Sequence, residues 1–188
     1  AEAFYVAREI RKAEVFGHPL NEETKALLIQ GEADLVRGAN MVAVTSRKER
    51  EYFSQAGFQN IQIVSHCVPQ SPNPNGFSGR SGFLFVGRLL ENHSPNADSI
   101  LWFTLKVLPI LRRVLGKDLR VNIVGANDGL ILRNFGDDSL RFLGRQGDLE
   151  ALYASSRVSI APTRFSAGIP LKILEAAAHG VPVVATNH

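Results

Sequence analysis

The stretch that decides the fold is VSIAPTRFSAGIPLKILEAAAHGVPVVATNH, residues 158–188, at the end of the sequence. Its opening apolar run, 158–161, predicts a short strand. Pro170 suits the first turn of a helix because its φ angle is already helical, and Gly180 is placed to end that helix. The nearly continuous apolar run at 181–186 predicts a second strand, covered on both faces. These residues therefore predict one βαβ unit whose loop carries polar groups.

Further strands precede this unit and alternate with helices. Apolar runs predict strands at 83–86, 119–124 and 140–143. The helices predicted between them lie at 96–115, 129–134 and 148–155. This alternation is typical of an α/β fold with a doubly wound, Rossmann-like parallel sheet. Because crossovers between parallel strands are right-handed, the loops that follow the strands should lie along one edge of that sheet.

The first 68 residues show the same alternation. Asn21 is followed by two glutamates, as at a helix N-terminus, and Ser46 with Glu49 three residues later can cap another helix. The predicted helices lie at 2–15, 21–39 and 47–56, and the predicted strands at 41–45 and 61–65. This part of the chain is therefore predicted to contain a second βαβ unit.

A change in composition separates the two parts. The stretch VPQSPNPNGFSGRSG, residues 68–82, contains three prolines and three glycines and has no apolar periodicity. Such a composition is typical of a linker. We therefore predict one domain at 1–68, a linker at 69–82 and a second domain at 83–188.

The bulk composition argues against several classes of protein. The 188 residues are 45% hydrophobic and 21% charged, as in an ordinary soluble globular protein. No apolar run reaches the roughly 18 residues that a transmembrane helix needs. A net charge of +3, without a dense cluster of basic and aromatic residues, argues against nucleic acid as a partner. The single cysteine, Cys67, is compatible with a reducing cytoplasm.

Each loop that follows a predicted strand contains a glycine, an arginine or both. They contain Gly87-Arg88, Gly125 with Asn127, Gly144-Arg145 and, in the last loop, Arg164. Glycine lets phosphates approach backbone N–H groups, and guanidinium groups bind anionic oxygens. A single glycine at such a turn is more often structural, but recurrence along one edge favours a ligand site. Together the loops predict a site for an anionic ligand.

Two charged residues follow the last loop. Lys172 and Glu175 lie three positions apart on the predicted helix and therefore share a face. A solvated ion pair is one interpretation, but the rest of the helix is small and apolar, as expected when it packs on a sheet. A charge near the first turn of such a helix favours ligand binding. A carboxylate can accept two hydrogen bonds from a ribose diol, and an ammonium suits a phosphate.

Several motifs carry a resemblance to a known family. The motif PTRFSAGIPLKILEAAAHGVPVVAT, residues 162–186, resembles the donor-binding signature of family 4 (group 1) glycosyltransferases, which have two facing Rossmann-like domains. FLFVGR at 83–88 and HSPNAD at 93–98 are similar to the first strand, phosphate turn and following helix of that family's donor domain. RGANMVAVTSRKEREYF at 37–53 resembles the last βα unit of its acceptor domain.

The resemblance implies a nucleotide-diphosphate sugar, UDP- or GDP-linked, as the donor substrate, with no separate cofactor. Gly87, Arg88 and Lys172 would bind the diphosphate, Glu175 the ribose, and the loop 144–149 the base. The full set of predicted donor-binding residues is Gly87, Arg88, Asn127, Arg145, Arg164, Gly168, Lys172 and Glu175. We assign no catalytic base or nucleophile and expect no metal site.

The sequence departs from the family's usual signature in two places. Eight residues before Glu175 the family often has a second glutamate, and this sequence has Ala167. The lysine that usually follows the phosphate-turn arginine is also replaced, with His93 in its region. A non-catalytic nucleotide-sugar binding module and a nucleotide-sugar epimerase of the same architecture therefore remain alternatives. A dinucleotide oxidoreductase is less favoured, because no Gly-x-Gly-x-x-Gly follows the strand at 83–86.

The resemblance also implies a role for the whole protein. We expect a cytoplasmic hexosyltransferase that acts on a glycan or lipid-linked glycan, and the resemblance allows a peripheral association of the full-length protein with a membrane. The chain would hold the end of the acceptor domain, the linker and most of the donor domain. We expect this part alone to be inactive and to bind a nucleotide weakly.

Overall fold

The chain consists of two compact units. The computed structural model describes residues 4–73, 75–89, 93–116, 118–127 and 137–187. Contacts assign residues 1–67 with 164–171 to the first unit, and residues 68–163 with 172–188 to the second. The contacts group the segment 164–171 with the first unit, whereas the sequence analysis places it in the second domain, and the domain boundaries stay a prediction.

The first unit is a small βαβ arrangement with two preceding helices. Its helices are α1 (Tyr5–Val15), α2 (Glu22–Asp34) and α3 (Arg47–Gln55), and its strands are β1 (Val42–Val44) and β2 (Ile61–Ile63). β1 and β2 pair in parallel on either side of the α3 crossover, as the sequence predicted. α2 ends at Asp34, earlier than the predicted end at 39. The core of this unit is formed by Phe4, Ala33, Val42, Val44 and Phe53.

Carboxylates hold the helix ends of this unit. Ser46 caps α3 by accepting a hydrogen bond from the Glu49 amide at 3.2 Å, as predicted. The buried Glu49 carboxylate accepts from the amide of Phe4 at 2.9 Å, and from the amide and hydroxyl of Thr45 at 2.8 and 2.7 Å. The start of α1 is satisfied by Glu32, whose carboxylate accepts two backbone N–H groups. These bonds stabilise the helix N-termini through both charge and hydrogen bonding.

The second unit contains the predicted doubly wound sheet. Its strands are β3 (Ser81–Val86), β4 (Val121–Val124), β5 (Leu140–Gly144), β6 (Ser156–Ala161) and β7 (Val183–Ala185). They pair in parallel in the order β5-β4-β3-β6-β7. The chain first adds strands on one side of β3 and then crosses to the other side. In sheets of this kind the ligand crevice lies beyond the carboxyl ends of the strands at this reversal, here beside β3.

The helices of the second unit connect these strands. They are α4 (Pro95–Trp102), α5 (Leu108–Leu115), α6 (Glu150–Ser155) and α7 (Leu171–Ala178). The single helix predicted at 96–115 is interrupted by a π turn, Phe103–Val107. Pro109 accounts for this turn, because proline cannot donate an amide and its ring crowds the carbonyl one turn earlier. The predicted helix at 129–134 lies outside the described residues.

The proline-rich stretch before β3 is bound to the second unit. The amides of Ser71 and Asn73 donate to the carbonyls of Ala178 and His179 at 3.0 and 3.1 Å. The guanidinium of Arg80 donates to the Gly180 carbonyl at 2.9 Å. We call residues 71–73 and 75–80 the strap. Hydrogen bonds from its backbone and its polar side chains, rather than buried apolar side chains, hold the strap, which explains the absence of apolar periodicity in its sequence.

Candidate functional site

A cleft of about 540 Å³ opens at the carboxyl ends of β3, β4 and β5. It brings together three of the four loops that the sequence analysis singled out. Gly87 and Arg88 follow β3, Gly125 follows β4, and Arg145 follows β5. The lining residues are Val86, Gly87, Arg88, Val124, Gly125, Ala126, Arg145, Gln146 and Leu149. The cleft therefore combines apolar lining residues with two arginines that come from different turns.

The glycines of these turns also have a packing function. The amide of Gly87 donates to the Val124 carbonyl at 2.8 Å, and that of Gly125 donates to the Gly144 carbonyl at 2.9 Å. Gly125 has a φ of +139°, and a Cβ atom there would lie 2.1 Å from the carbonyl oxygen of Gly87. Only glycine fits this approach. Part of the glycine pattern is therefore explained by the packing of one turn on the next.

Lys172, in the first turn of α7, contacts the end of β3 and the start of α4. Its ammonium donates to Asn96 Oδ1 at 2.5 Å and lies 4.3 Å from the centroid of the Phe85 ring. Burial lowers the pKa of Lys172 to about 8, because a low-dielectric environment disfavours the charged form. The Asn96 amide donates in turn to the carbonyl oxygen of Arg88 at 3.1 Å. Lys172 is thus connected through one side chain to the turn that lines the cleft.

Glu175 has a different partner from Lys172. Its carboxylate accepts a hydrogen bond from the hydroxyl of Tyr153 on α6 at 3.3 Å. The Tyr153 ring is buried and stacks on His179, with centroids 4.6 Å apart. Burial, followed by the nearby charge of Glu175, raises the pKa of Tyr153, so its hydroxyl stays a donor at neutral pH. Lys172 and Glu175 therefore do not form the surface ion pair that was one interpretation of the sequence, because each contacts a different side chain.

Comparison with known proteins identifies the family and the fold of this chain. The sequence model of the family described as glycosyl transferases group 1 matches residues 80–188, more than half of the chain. The chain belongs to the group 1 glycosyltransferases. An uncharacterised glycosyltransferase of Haemophilus influenzae is 33% identical over an alignment of 153 residues, and the alignment covers 77% of this chain and 41% of that protein. The chain thus spans well under half of the length of this relative.

Solved structures of other glycosyltransferases share the fold. Staphylococcus aureus TarM superposes with a TM-score of 0.63 at 14% identity, over 90% of this chain and 33% of that one. The pneumococcal O-GlcNAc transferase GtfA gives 0.59 at 19%, over 84% and 32%. Anabaena HepE gives 0.59 at 20%, over 95% and 51%. These similarities support the Rossmann-like α/β fold of this group 1 glycosyltransferase.

The remaining predicted site residues of this glycosyltransferase lie elsewhere. Asn127 forms an isolated parallel bridge with Leu89, next to the cleft residue Ala126. Arg164 and Gly168 belong to the segment 164–171 and are therefore described with the first unit. There the guanidinium of Arg164 lies 5.6 Å from the Phe16 ring centroid. The structure thus places Gly87, Arg88 and Arg145 in the lining of the cleft, and the donor-binding role of every predicted site residue stays a prediction.

The sequence analysis of this glycosyltransferase missed two polar residues that contact predicted site residues. Asn96 is the partner of Lys172, and Tyr153 is the partner of Glu175. Asn96 lies within the HSPNAD motif at 93–98, so the motif was a signal that could have pointed to it. Tyr153 gave no comparable signal, because a tyrosine on an amphipathic helix usually packs in the core.

Two further classes of feature are absent from the part of this glycosyltransferase that the structure describes. No helix in that part is both long and apolar enough to span a bilayer. Among the same residues, no three histidine, cysteine, aspartate or glutamate side chains are arranged to hold a metal ion.

Proposed function

We propose that the second unit binds a nucleotide-diphosphate sugar, and that the full-length protein transfers its hexose to a glycan or lipid-linked glycan. The observation that carries this proposal is the cleft beside β3, which is lined by Arg88 and Arg145 from two of its turns. Guanidinium groups are suited to phosphate oxygens. The position at the reversal of strand order is the usual ligand position of such sheets.

The ligands of the structural neighbours support the same proposal. TarM was solved in complex with UDP, GtfA with UDP and GlcNAc, and HepE with UDP-glucose. On this basis a UDP-linked sugar is the first donor to test, and a GDP-linked sugar is the second. Gln146 and Leu149 line the cleft in the loop 144–149 and would contact the base.

The proposed chemistry rests on positioning and charge. As the glycosidic bond to the donor breaks, negative charge develops on the diphosphate leaving group. Arg88 and Lys172 would neutralise that charge, and Glu175 would hold the ribose so that the sugar stays aligned with the acceptor. This mechanism needs neither a metal ion nor a separate cofactor.

Titration of the 188-residue chain with UDP and with GDP tests donor binding. We expect Arg88→Gln to weaken the binding of the preferred nucleotide at least tenfold, since it removes a charge-assisted contact to phosphate. Arg113→Gln on α5 removes the same charge from an exposed position and serves as the matched control. Failure of the wild-type chain to bind either nucleotide, or equal affinities of wild type and Arg88→Gln, would contradict the proposal.

A non-catalytic binding module is the second candidate, and Ala167 favours it. The family often has a glutamate at this position that addresses the donor sugar, and alanine cannot accept hydrogen bonds from sugar hydroxyls. Assays of the full-length protein with UDP- and GDP-sugars separate the two candidates. Transfer to an acceptor supports the enzyme, and binding of the donor without turnover supports the module. Conversion of one nucleotide sugar into another would indicate the epimerase instead.

A further inference from the structure

We propose that Asn96 is a positioning residue, which holds the ammonium of Lys172 and the turn at Arg88 in one arrangement so that both cations bind the same diphosphate. This inference rests on the proposed function and adds a residue to it. Asn96 is the one side chain among the described residues that is hydrogen-bonded both to the Lys172 ammonium and to the Arg88 backbone. The partners are distant in sequence, since Asn96 and Lys172 lie 76 residues apart.

Both ends of the Asn96 amide are engaged, which fixes its orientation. Oδ1 accepts from the Lys172 ammonium at 2.5 Å, and Nδ2 donates to the Arg88 carbonyl at 3.1 Å. A flipped amide would direct its NH₂ group at an ammonium and its oxygen at a carbonyl oxygen, so both contacts would become repulsive. An aspartate could accept from Lys172 but could not donate to Arg88. Asparagine therefore forms hydrogen bonds with both Lys172 and Arg88, whereas aspartate could form only the one with Lys172.

The surroundings of Asn96 keep its side chain in place. Asn96 follows Pro95 in the first turn of α4, and Ser94 caps that turn by accepting from the Ala97 amide at 3.3 Å. On its other side the amide lies against Gly87, where an added Cβ atom would be only 2.8 Å from the Asn96 side chain. The glycine of the phosphate turn thus makes room for Asn96. A mobile side chain could not hold two groups at a fixed separation, and this one is confined.

Lys172 depends on Asn96 for its only described hydrogen bond. Its other described neighbour is the Phe85 ring, which attracts a cation but accepts no conventional hydrogen bond. The carboxylates on the two helices concerned are Asp98 on α4 and Glu175 on α7, and Glu175 is engaged by Tyr153. Without Asn96 the ammonium would lose its acceptor while staying in a desolvated site, which favours a different rotamer or the neutral amine.

A double-mutant cycle on UDP affinity tests the coupling. We expect Asn96→Ala to weaken UDP binding about tenfold in the wild-type background, because one charge-assisted hydrogen bond is lost. In a Lys172→Met background the same substitution should cost less than about threefold, since its target is gone. Equal costs in the two backgrounds would overturn the proposal. Asn96→Ser serves as the second variant if Asn96→Ala does not fold.

A measurement without nucleotide separates this inference from the proposed function. Titration of the Lys172 side chain by NMR reports its pKa in the free protein. We expect Asn96→Asp to raise that pKa by at least one unit through the new carboxylate, and Asn40→Asp, which adds the same charge at an exposed position, to leave it unchanged. An unchanged pKa of Lys172 in Asn96→Asp would show that residue 96 does not contact the ammonium, and would overturn the proposal. A shifted pKa in a chain that binds neither UDP nor GDP would keep the contact and reject the proposed function.

Discussion

The hydroxyl of Tyr153 donates a hydrogen bond to the carboxylate of Glu175, and the tyrosine ring stacks on His179, four residues further on and directly after the end of α7. One buried side chain from α6 therefore contacts both α7 and the residue that directly follows it, four positions apart. Tyr153 orients the carboxylate of Glu175, while Asn96 accepts a hydrogen bond from Lys172 on the same helix. The two polar groups of α7 are thus fixed by two different elements, which is the arrangement that a preorganised ligand site requires.

Tyr153→Phe tests the orientation of Glu175. The substitution keeps the stacked ring and removes the hydrogen bond, so we expect the free energy of unfolding to fall by about 1 kcal/mol. The affinity for UDP should fall about threefold, because Glu175 would no longer be held toward a ribose. Urea denaturation and calorimetric titration measure the two effects. Tyr52→Phe in the first unit is the control, and an unchanged affinity in Tyr153→Phe would separate Tyr153 from the site.

The pKa of Lys172 predicts a pH dependence of nucleotide binding. Burial lowers this pKa to about 8, and a bound diphosphate should raise it again by favouring the ammonium. We therefore expect UDP affinity to fall as pH rises from 7 to 9, and binding near pH 8 to take up protons. Calorimetry in buffers of different ionisation enthalpy measures the uptake. Lys172→Met should abolish it, whereas Lys106→Met at an exposed position should not.

The same shift predicts how stability depends on pH. Lys172 has a pKa of about 8 in the folded chain and its ordinary value of 10.5 when unfolded. Between these values the unfolded chain binds more protons, so the free energy of unfolding contributed by Lys172 rises with pH over this window. Compared with Lys172→Met, the wild type should therefore gain stability from pH 8 to 10. Parallel pH profiles of urea denaturation for the two proteins would contradict this prediction.

Gly125→Ala tests the close packing of the turns that form the cleft. A Cβ atom there would lie 2.1 Å from the Gly87 carbonyl oxygen, in a backbone conformation with a φ of +139°. We expect a loss of about 3 kcal/mol in unfolding free energy, from backbone strain together with overpacking. Gly147→Ala is the matched control, since nothing lies within 4 Å of its added Cβ. Thermal unfolding compares the two, and similar melting temperatures would refute the argument.

Glu49→Gln tests the carboxylate that anchors the first unit. Its oxygens accept from Phe4 and Thr45, so an amide NH₂ in place of one oxygen would face N–H or O–H donors. We expect a loss of about 2 kcal/mol, the cost of leaving buried donors unpaired. Glu51→Gln, exposed on the same helix, should change stability by less than about 0.5 kcal/mol. Hydrogen exchange of amides in α1 and α3 localises the effect, and equal exchange rates in both variants would contradict it.

The sequence predicts the architecture well because local patterns determine it. The runs of apolar residues, together with the glycines and prolines that end them, locate β3 to β7 to within a few residues. The alternation of strands with helices predicts that the sheet is parallel. The hydrogen-bonded pairs of the candidate site could not be predicted in this way. Tyr153 and Glu175 lie 22 residues apart in the sequence, and Asn96 and Lys172 lie 76 apart. No local pattern specifies such partners, which depend on how helices stack over the sheet.

The π turn shows a second limit of local prediction. Trp102 and Leu105 are spaced as neighbours on one helical face, which predicts that they share the core. The turn at Phe103–Val107 inserts extra residues, and Leu105 is 55% exposed. The responsible residue, Pro109, is visible in the sequence, but proline is also common in the first turn of a helix. In the structure Pro109 has both roles, since it lies in the first turn of α5 and that helix directly follows the π turn.

The strap has a practical consequence for isolating the second unit of the chain. A fragment that starts at residue 83, or at residue 80 where the family match begins, would lack the amides of Ser71 and Asn73. The carbonyls of Ala178 and His179, at the end of the helix that carries Lys172 and Glu175, would then lose their partners. The strap, which its composition makes look dispensable, is therefore a segment that an expression fragment has to retain. A fragment that begins before Ser71 keeps it.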